Sequence, residues 1–286
     1  MENKSIAWSA LLADAVNKPG IISSAYSVFH NYSVGNQLWA WSQCLSRDIE
    51  LTPLATYKKW QSLGRQVKKG EKALTLCMPV TINKKNDAGE KTGDVFQMFT
   101  VRANWFTLSQ TEGDEFINEV KTPDWDSTLA LSALNISEVN FNYADGNCQG
   151  YATGRNIAIN PVAALPHKTR FHELAHIVLG HTSENAMTDS EKTTRDIKEV
   201  EAESVAYICC SILGLPGLEE SRGYIQGWLS GNGITDKSAQ KIFGTAEKIL
   251  KAGRAAAETT NEVTARLNMK LVKLTVHARL VTMIAS

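Results

Sequence analysis

Residues 169–181, Thr-Arg-Phe-His-Glu-Leu-Ala-His-Ile-Val-Leu-Gly-His, constrain this chain more than any other stretch. Two histidines stand four apart, with a glutamate between them, inside an apolar run. On an α-helix such positions share a face, so the imidazoles of His172 and His176 can converge on one ion. Glu173 then projects beside them, where a carboxylate serves as general base toward a water. Leu174, Ala175, Ile177, Val178 and Leu179 make the helix apolar around most of its circumference, as expected of a buried helix, and Gly180 supplies its stop. The bland alternative is a buried helix with two incidental histidines. Unpaired, those polar groups would be costly there, and a metal ion pairs them. The expectation is a zinc-dependent hydrolase site holding one Zn2+, with another divalent transition metal also compatible with the donors.

A catalytic zinc takes three protein ligands and a water. The three-histidine pattern H-E-x-x-H-x-x-G-x-x-H needs glycine at 179 and histidine at 182, and here Gly180 and His181 are out of step. His181 is therefore read as an ordinary residue after the helix end. The acids Asp196, Glu199, Glu201 and Glu203 lead into an apolar helical run closed by Gly214 and Pro216. Glu199 and Glu203, four apart, can both face the metal helix, and Glu201 points elsewhere. Glu199 is favoured as third ligand and Glu203 as the carboxylate that fixes a histidine through its second N–H, with the reverse assignment open. A solvated helix start complementing the dipole is the alternative account of these acids. Tyr207, Tyr224 and Arg155 are unranked candidates for an oxyanion donor.

A chain of 286 residues, 43% hydrophobic, accommodates one large domain or two ordinary ones, and two are expected. The formal net charge is zero, so only local patches can point to a polyanion. The N-terminus lacks a sustained apolar segment and no run reaches the length that spans a bilayer, which predicts a soluble, cytoplasmic protein with no membrane partner. Five cysteines, an odd number without metal-ligand spacing, read as reduced thiols.

Apolar spacing predicts helices over 6–16 and 36–45, then strands over 73–80 and 95–108 joined by a polar hairpin at 86–89. Between the second helix and the first strand lies residues 57–72, with Lys58, Lys59, Arg65, Lys68, Lys69 and Lys72 against the single acid Glu71, interleaved with Tyr57 and Trp60. Cations track a phosphate backbone and aromatic rings stack on unpaired bases, so the pattern suits single-stranded nucleic acid. A solvated helix-loop with Trp60 packed inward fits it as well. Turn residues and acids between 110 and 128 place the domain boundary there. A helix at 127–134, a strand at 139–143, a turn at 145–147 and a strand ending at Asn160 follow; by resemblance to zincin-type peptidases, whose strand before the active-site helix forms the edge along which an extended peptide lies, the last is expected to be that edge. Further helices are expected at 224–229 and 237–250.

With both segments in hand, the chain resembles the ArdC-type antirestriction proteins of plasmids and phages. The resemblance rests on residues 36–38, 57–60, 63–72 and Pro79 in the first part, and on 171–176, 180–181, 199–203 and Ala206 in the second. It extends over about residues 5–250. It implies an α+β fold in two domains, a single-stranded-DNA-binding domain over 1–120 and a zincin-like metallopeptidase domain over 128–250, with a tail of unassigned role at 251–286. It also implies single-stranded DNA as a partner of Tyr57–Lys72, a protein substrate of unknown identity, and protection of incoming DNA against restriction enzymes. A DNA-binding protector with a structural or vestigial metal site is the first alternative. A repressor-cleaving peptidase is the second. Glu173 favours the catalytic reading, because a structural site needs no general base and is closed by a fourth protein ligand.

Overall fold

The structure is a computed structural model that describes residues 6–85, 91–116, 124–142, 148–182, 195–231 and 233–254. The expected turns at 86–89 and 145–147, and the tail from 255 onward, lie outside the described residues.

Three helices open the chain: α1 (Trp8–Asn17), α2 (Ile21–Phe29) and α3 (Val34–Ser46). The second has no counterpart among the expected elements. Its buried residues Ile21, Ile22, Ala25, Tyr26 and Phe29 nevertheless recur at helical spacing, diluted by three serines.

A sheet follows. The strand β1 (Leu54–Thr56) pairs with the end of β4 (Lys91–Thr107), which pairs along its length with β3 (Leu74–Lys85), all antiparallel. Thr56 caps the short helix α4 (Tyr57–Ser62) by accepting from the Lys59 amide at 3.3 Å. Strands β2 (Arg65–Val67) and β5 (Thr111–Gly113) form a separate antiparallel pair. The free edge of β3 is closed by side chains of α3. Asn36 donates to the Cys77 carbonyl and accepts from its amide, each at 2.9 Å, and two turns along Gln43 does the same for Thr75 at 2.8 and 2.9 Å. Two amide side chains thus stand in for a neighbouring strand.

The second half starts with α5 (Ser127–Leu134), as expected, capped by Asp126. A small sheet has the order β6–β8–β7, from β6 (Ser137–Glu138), β7 (Gly150–Thr153) and β8 (Asn156–Ile159). The strand expected at 139–143 is displaced. Pairing is made by Ser137 and Glu138, the Val139 amide adds one bond to Ile157 O at 2.9 Å, and residues 140–142 continue outside any strand. A second correction concerns the edge: β8, which precedes the histidine helix, is central, and β7 stands at the edge among the described strands. Helices α6 (Pro166–Val178), α7 (Arg195–Leu213), α8 (Leu218–Gly231) and α9 (Asp236–Ala252) complete the described chain. None of the described helices is long and apolar enough to cross a membrane.

The cores do not divide at residues 110–128, where the boundary was expected. Leu12, Val16, Ile22 and Leu38 of the first three helices share one cluster with Phe171, Leu174, Val205, Ile208, Ile242 and Ile249. A smaller cluster joins Phe29, Ala40 and Cys44 to Leu54, Leu74, Leu76 and Trp105. Helices α2 and α3 therefore contribute to both cores. Cys44, Cys209 and Cys210 are buried, and all five cysteines are free thiols.

Candidate metal centre

Helix α6 carries Phe171, Leu174 and Ala175, each fully buried, on its core side, which turns His172 and His176 together toward α7. Their Nε2 atoms lie 3.1 Å apart. Glu199, in the first turns of α7, brings Oε2 to 3.3 Å from His172 Nε2 and 3.6 Å from His176 Nε2. These three are the group among the described residues whose donor atoms could hold one ion. Ligands about 2.0–2.1 Å from a tetrahedral zinc stand about 3.3 Å from one another, so the triangle already has the edge lengths of a metal's first shell. One face opens to a groove of about 520 Å³ lined by β7, Glu173, Thr182, Arg195 and Lys198.

The opposite ring nitrogens are held as well. His172 Nδ1 meets Glu203 Oε2 at 2.9 Å, and Lys168 Nζ lies 2.7 Å from the other oxygen of that carboxylate. Burial opposes charge on Glu203, but hydrogen bonds from His172 and Lys168 hold its pKa down to about 2. Burial likewise opposes charge on His172, and hydrogen bonds to Glu199 and Glu203 override it, pushing the imidazole up to about 9. The same histidine bonds, only partly offset by burial, depress Glu199 strongly.

His181 and Glu201, which the sequence left aside, form the matching arm. Gly180 has φ 81° and its amide bonds to Ile177 O at 3.1 Å, while the His181 amide reaches back to His176 O at 2.8 Å. That is the double closure of a Schellman helix end, and it returns residue 181 to the turn containing residue 176. His181 Nδ1 then lies 3.0 Å from His176 Nδ1, and His181 Nε2 lies 3.0 Å from Glu201 Oε2. Ser238 at the start of α9 donates to the other oxygen of Glu201. Burial lowers the pKa of His181. A neutral His181 with its proton on Nε2 donates to Glu201 and accepts from His176 Nδ1–H, which directs the lone pair of His176 Nε2 to the centre. The readable signal was Gly180, which puts the next residue back over the second histidine.

Glu173 is 7% exposed and lines the same groove, and its burial raises its pKa. It packs directly under the edge strand. A Cβ on Gly150 would fall 2.7 Å from Thr169 Cγ2 and 3.3 Å from Glu173 Cγ, so only glycine lets α6 approach β7 this closely. Of the oxyanion candidates, Tyr207 is buried with its hydroxyl toward Ala15 O, and Arg155 is spent on the carbonyls of Leu134 and Asn135. Tyr224 is 48% exposed, and partial burial, followed by the charges of Glu199, Asp196 and Glu203, raises its pKa.

The basic segment is brought together only in part. Lys58, Lys59, Lys69 and Lys72 are exposed. Lys68 is exposed too, with Nζ donating to Ser109 O at 2.8 Å. Arg65 braces β5, donating to Thr111 Oγ1 at 2.8 Å and to the carbonyls of Thr111, Gly113 and Asp114. Trp60 corrects the expectation of a stacking ring: it is 1% exposed, donates from Nε1 to Phe106 O at 2.8 Å and meets Phe116 edge-on. Tyr57 is half-buried against Phe106, its hydroxyl accepting from Gln66 at 2.8 Å.

Fold and site together define an α+β protein with a candidate mononuclear metal centre between two helices. Residues 6–111 match the family model described as the N-terminal domain of anti-restriction factor ArdC. The metal-free crystal structure of the antirestriction ArdC protein from plasmid R388 superposes with a TM-score of 0.52 at 20% identity, covering 86% of this chain and 93% of that one. Its Mn(II)-bound structure gives 0.48 at 21%, covering 86% and 94%. Among curated proteins, none matches. Residues 6–111 are thus similar to the ArdC N-terminal domain, and the chain as a whole shares the fold of the R388 protein.

Proposed function

We propose that this protein binds single-stranded DNA through its N-terminal half and hydrolyses a protein substrate at the centre of His172, His176 and Glu199, protecting incoming plasmid or phage DNA. The observation that carries the hydrolytic reading is the triangle of donor atoms, 3.1, 3.3 and 3.6 Å on its edges, with a buried carboxylate beside it and one side open to a groove. A closed structural site would have neither the base nor the opening.

Two imidazoles and one carboxylate suit zinc among the divalent ions. Once held there, the ion supplies acidity to a bound water and polarisation to a substrate carbonyl. Glu173 accepts the proton of the attacking water and returns it to the leaving amine, a task for which its raised pKa fits it. An extended peptide runs along β7, the edge among the described strands, antiparallel or parallel, which sets its backbone across the groove above Glu173. Tyr224 donates to the developing oxyanion. The exposed ammonium groups of Lys58, Lys59, Lys69 and Lys72 meet the phosphates of the DNA.

Glu173→Gln separates catalysis from binding. The variant is expected to retain one equivalent of zinc by elemental analysis and wild-type affinity for single-stranded DNA, and to lose protection of DNA entering a restricting cell. Full protection by this variant would leave DNA binding as the operative activity and sink the hydrolytic reading.

A further inference from the structure

Binding clefts are mostly lined by apolar side chains, with a few polar groups that fix orientation. The groove over the metal centre is built differently. Among the described residues its lining includes no Leu, Ile, Val, Met, Phe or Trp, and Tyr151 supplies its largest ring. A substrate side chain finds little apolar surface to bury there, so selection falls to charge.

The charges of the groove form two groups. The acids Glu173 and Glu199 belong to the centre, where Glu199 is shared between His172 and His176. The cations Arg195 and Lys198 stand on α7. Arg195 precedes Glu199 by four residues and so shares its face of the helix, with about 6 Å between the Cβ atoms. Its guanidinium is exposed and has neither a hydrogen bond nor an ion pair among the described residues. Lys198 is half-buried and donates from Nζ to His181 O at 3.3 Å.

Beside His181, Thr182 Oγ1 donates to Gly154 O at 2.8 Å. The turn after α6 is thus fastened to the turn that ends β7, and Lys198 stands at that end of the groove. Gly150, at the start of β7, packs over Glu173. A peptide lying along β7 from Gly150 to Thr153 therefore passes from the general base to the cations in about 10 Å. A nucleic-acid strand is a poorer occupant, because its charge at every nucleotide would also run past Glu173 and Glu199, where like charges repel. A peptide can set one carboxylate against the cations and lay neutral backbone across the acids.

We propose that Arg195 and Lys198 form a subsite for a substrate carboxylate, from an Asp or Glu side chain or from a chain terminus, about three residues along the peptide from the cleaved bond. The proposal rests on the reading of this groove as a peptide-hydrolysing site and adds the class of substrate, an acidic peptide.

Fluorescence anisotropy of labelled octapeptides tests it on the full-length Glu173→Gln variant. The peptides are built from Ala, Ser and Thr, blocked at both ends, and carry one Glu, one Lys or neither; a fourth is neutral but keeps its C-terminal carboxylate. The Glu peptide or the free-carboxylate peptide is expected to bind about tenfold tighter than the blocked neutral one, and which of the two does so identifies the source of the carboxylate. Arg195→Glu is expected to abolish this preference, and Arg195→Glu combined with Lys198→Glu to reverse it in favour of the Lys peptide, an outcome that mere damage to the fold would not produce. Equal affinity for all four peptides, or a preference that survives both substitutions, overturns the subsite. So does a loss of oligo(dT) affinity in Arg195→Glu with peptide binding unchanged, which would assign the cations to nucleic acid. If the zinc-loaded wild-type chain cuts none of the peptides while the acidic preference of Glu173→Gln holds, the hydrolytic reading falls and the carboxylate subsite stands.

Discussion

A histidine must be neutral to ligate a metal, yet His172 sits where its proton is held. Burial works against the charge, but the hydrogen bonds to Glu199 and Glu203 dominate and push the imidazole from 6.5 to about 9. A group whose folded pKa is raised contributes stability that is complete below its unfolded pKa and disappears as pH rises through the folded value. In chelator-treated protein that contribution is therefore present below 6.5 and lost toward about pH 9. Glu173, raised by burial, acts with the same sign. A metal ion displaces the His172 proton, so its binding gains strength over the same window. Melting curves with chelator and with zinc at several pH values should show the chelated Tm falling from pH 6.5 to 9 and the zinc-induced shift growing. A shift that stays constant with pH would remove His172 from the ligand set. The residue pair Glu199 and Glu203 could be placed from spacing alone, because four residues is a helical repeat. Trp60 could not, since nothing local distinguishes a ring that stacks on a base from one that fills a core.

At the scale of the element, what the sequence hid was the end of a helix. The pattern His-Glu-x-x-His announces α6, but the arrangement of Gly180 and His181 is informative only when the glycine is read as a left-handed helix terminus. The chain then reverses by the two backbone bonds of Gly180 and His181, and the side chain at 181 meets the ring at 176. Partners that orient a liganding histidine typically contribute about 10–100-fold to metal affinity. His181→Ala should lose that much, read by competition with a chromogenic chelator, and Gly180→Ala should lose part of it because φ 81° strains any residue with a Cβ. Unchanged affinity in His181→Ala would show that His176 is oriented without this arm. The sheet beside the helix was less legible. Sequence order suggested that the strand just before α6 lies at the edge, but a two-residue parallel strand, β6, occupies the outer side of β8 and leaves β7 at the edge among the described strands. A strand of two residues carries no periodicity to read.

At the scale of the whole molecule, the chain order of the motifs and the order of the cores differ. Basic segment first and metal helix second suggested two units joined near residue 120, and turn-forming residues occur there. Domain independence depends on where apolar faces are buried, which local composition does not record. Leu12, Val16, Ile22, Tyr26 and Leu38 belong to the cluster that contains Phe171, Val205 and Ile242. The first helices also tie to the last by polar contacts: Ser9 donates to Asp236 Oδ1 from its amide at 2.8 Å and from its hydroxyl at 2.6 Å, and the Val34 amide donates to Glu247 at 2.9 Å. A fragment of residues 124–254 would expose those apolar partners. Each large side chain withdrawn from its burial costs about 1.5–3 kcal/mol, against a total stability of about 5–15 kcal/mol for a native domain. The fragment should therefore lack a cooperative melting transition and near-ultraviolet dichroism, and should recover both when residues 6–46 are supplied as a separate chain. A fragment that melts cooperatively alone would mean that α1–α3 merely cover a self-sufficient core. The expected dependence instead makes the metal centre and the sheet beyond β1 parts of one folding unit, because α2 and α3 supply side chains to both cores and cannot leave one without opening the other.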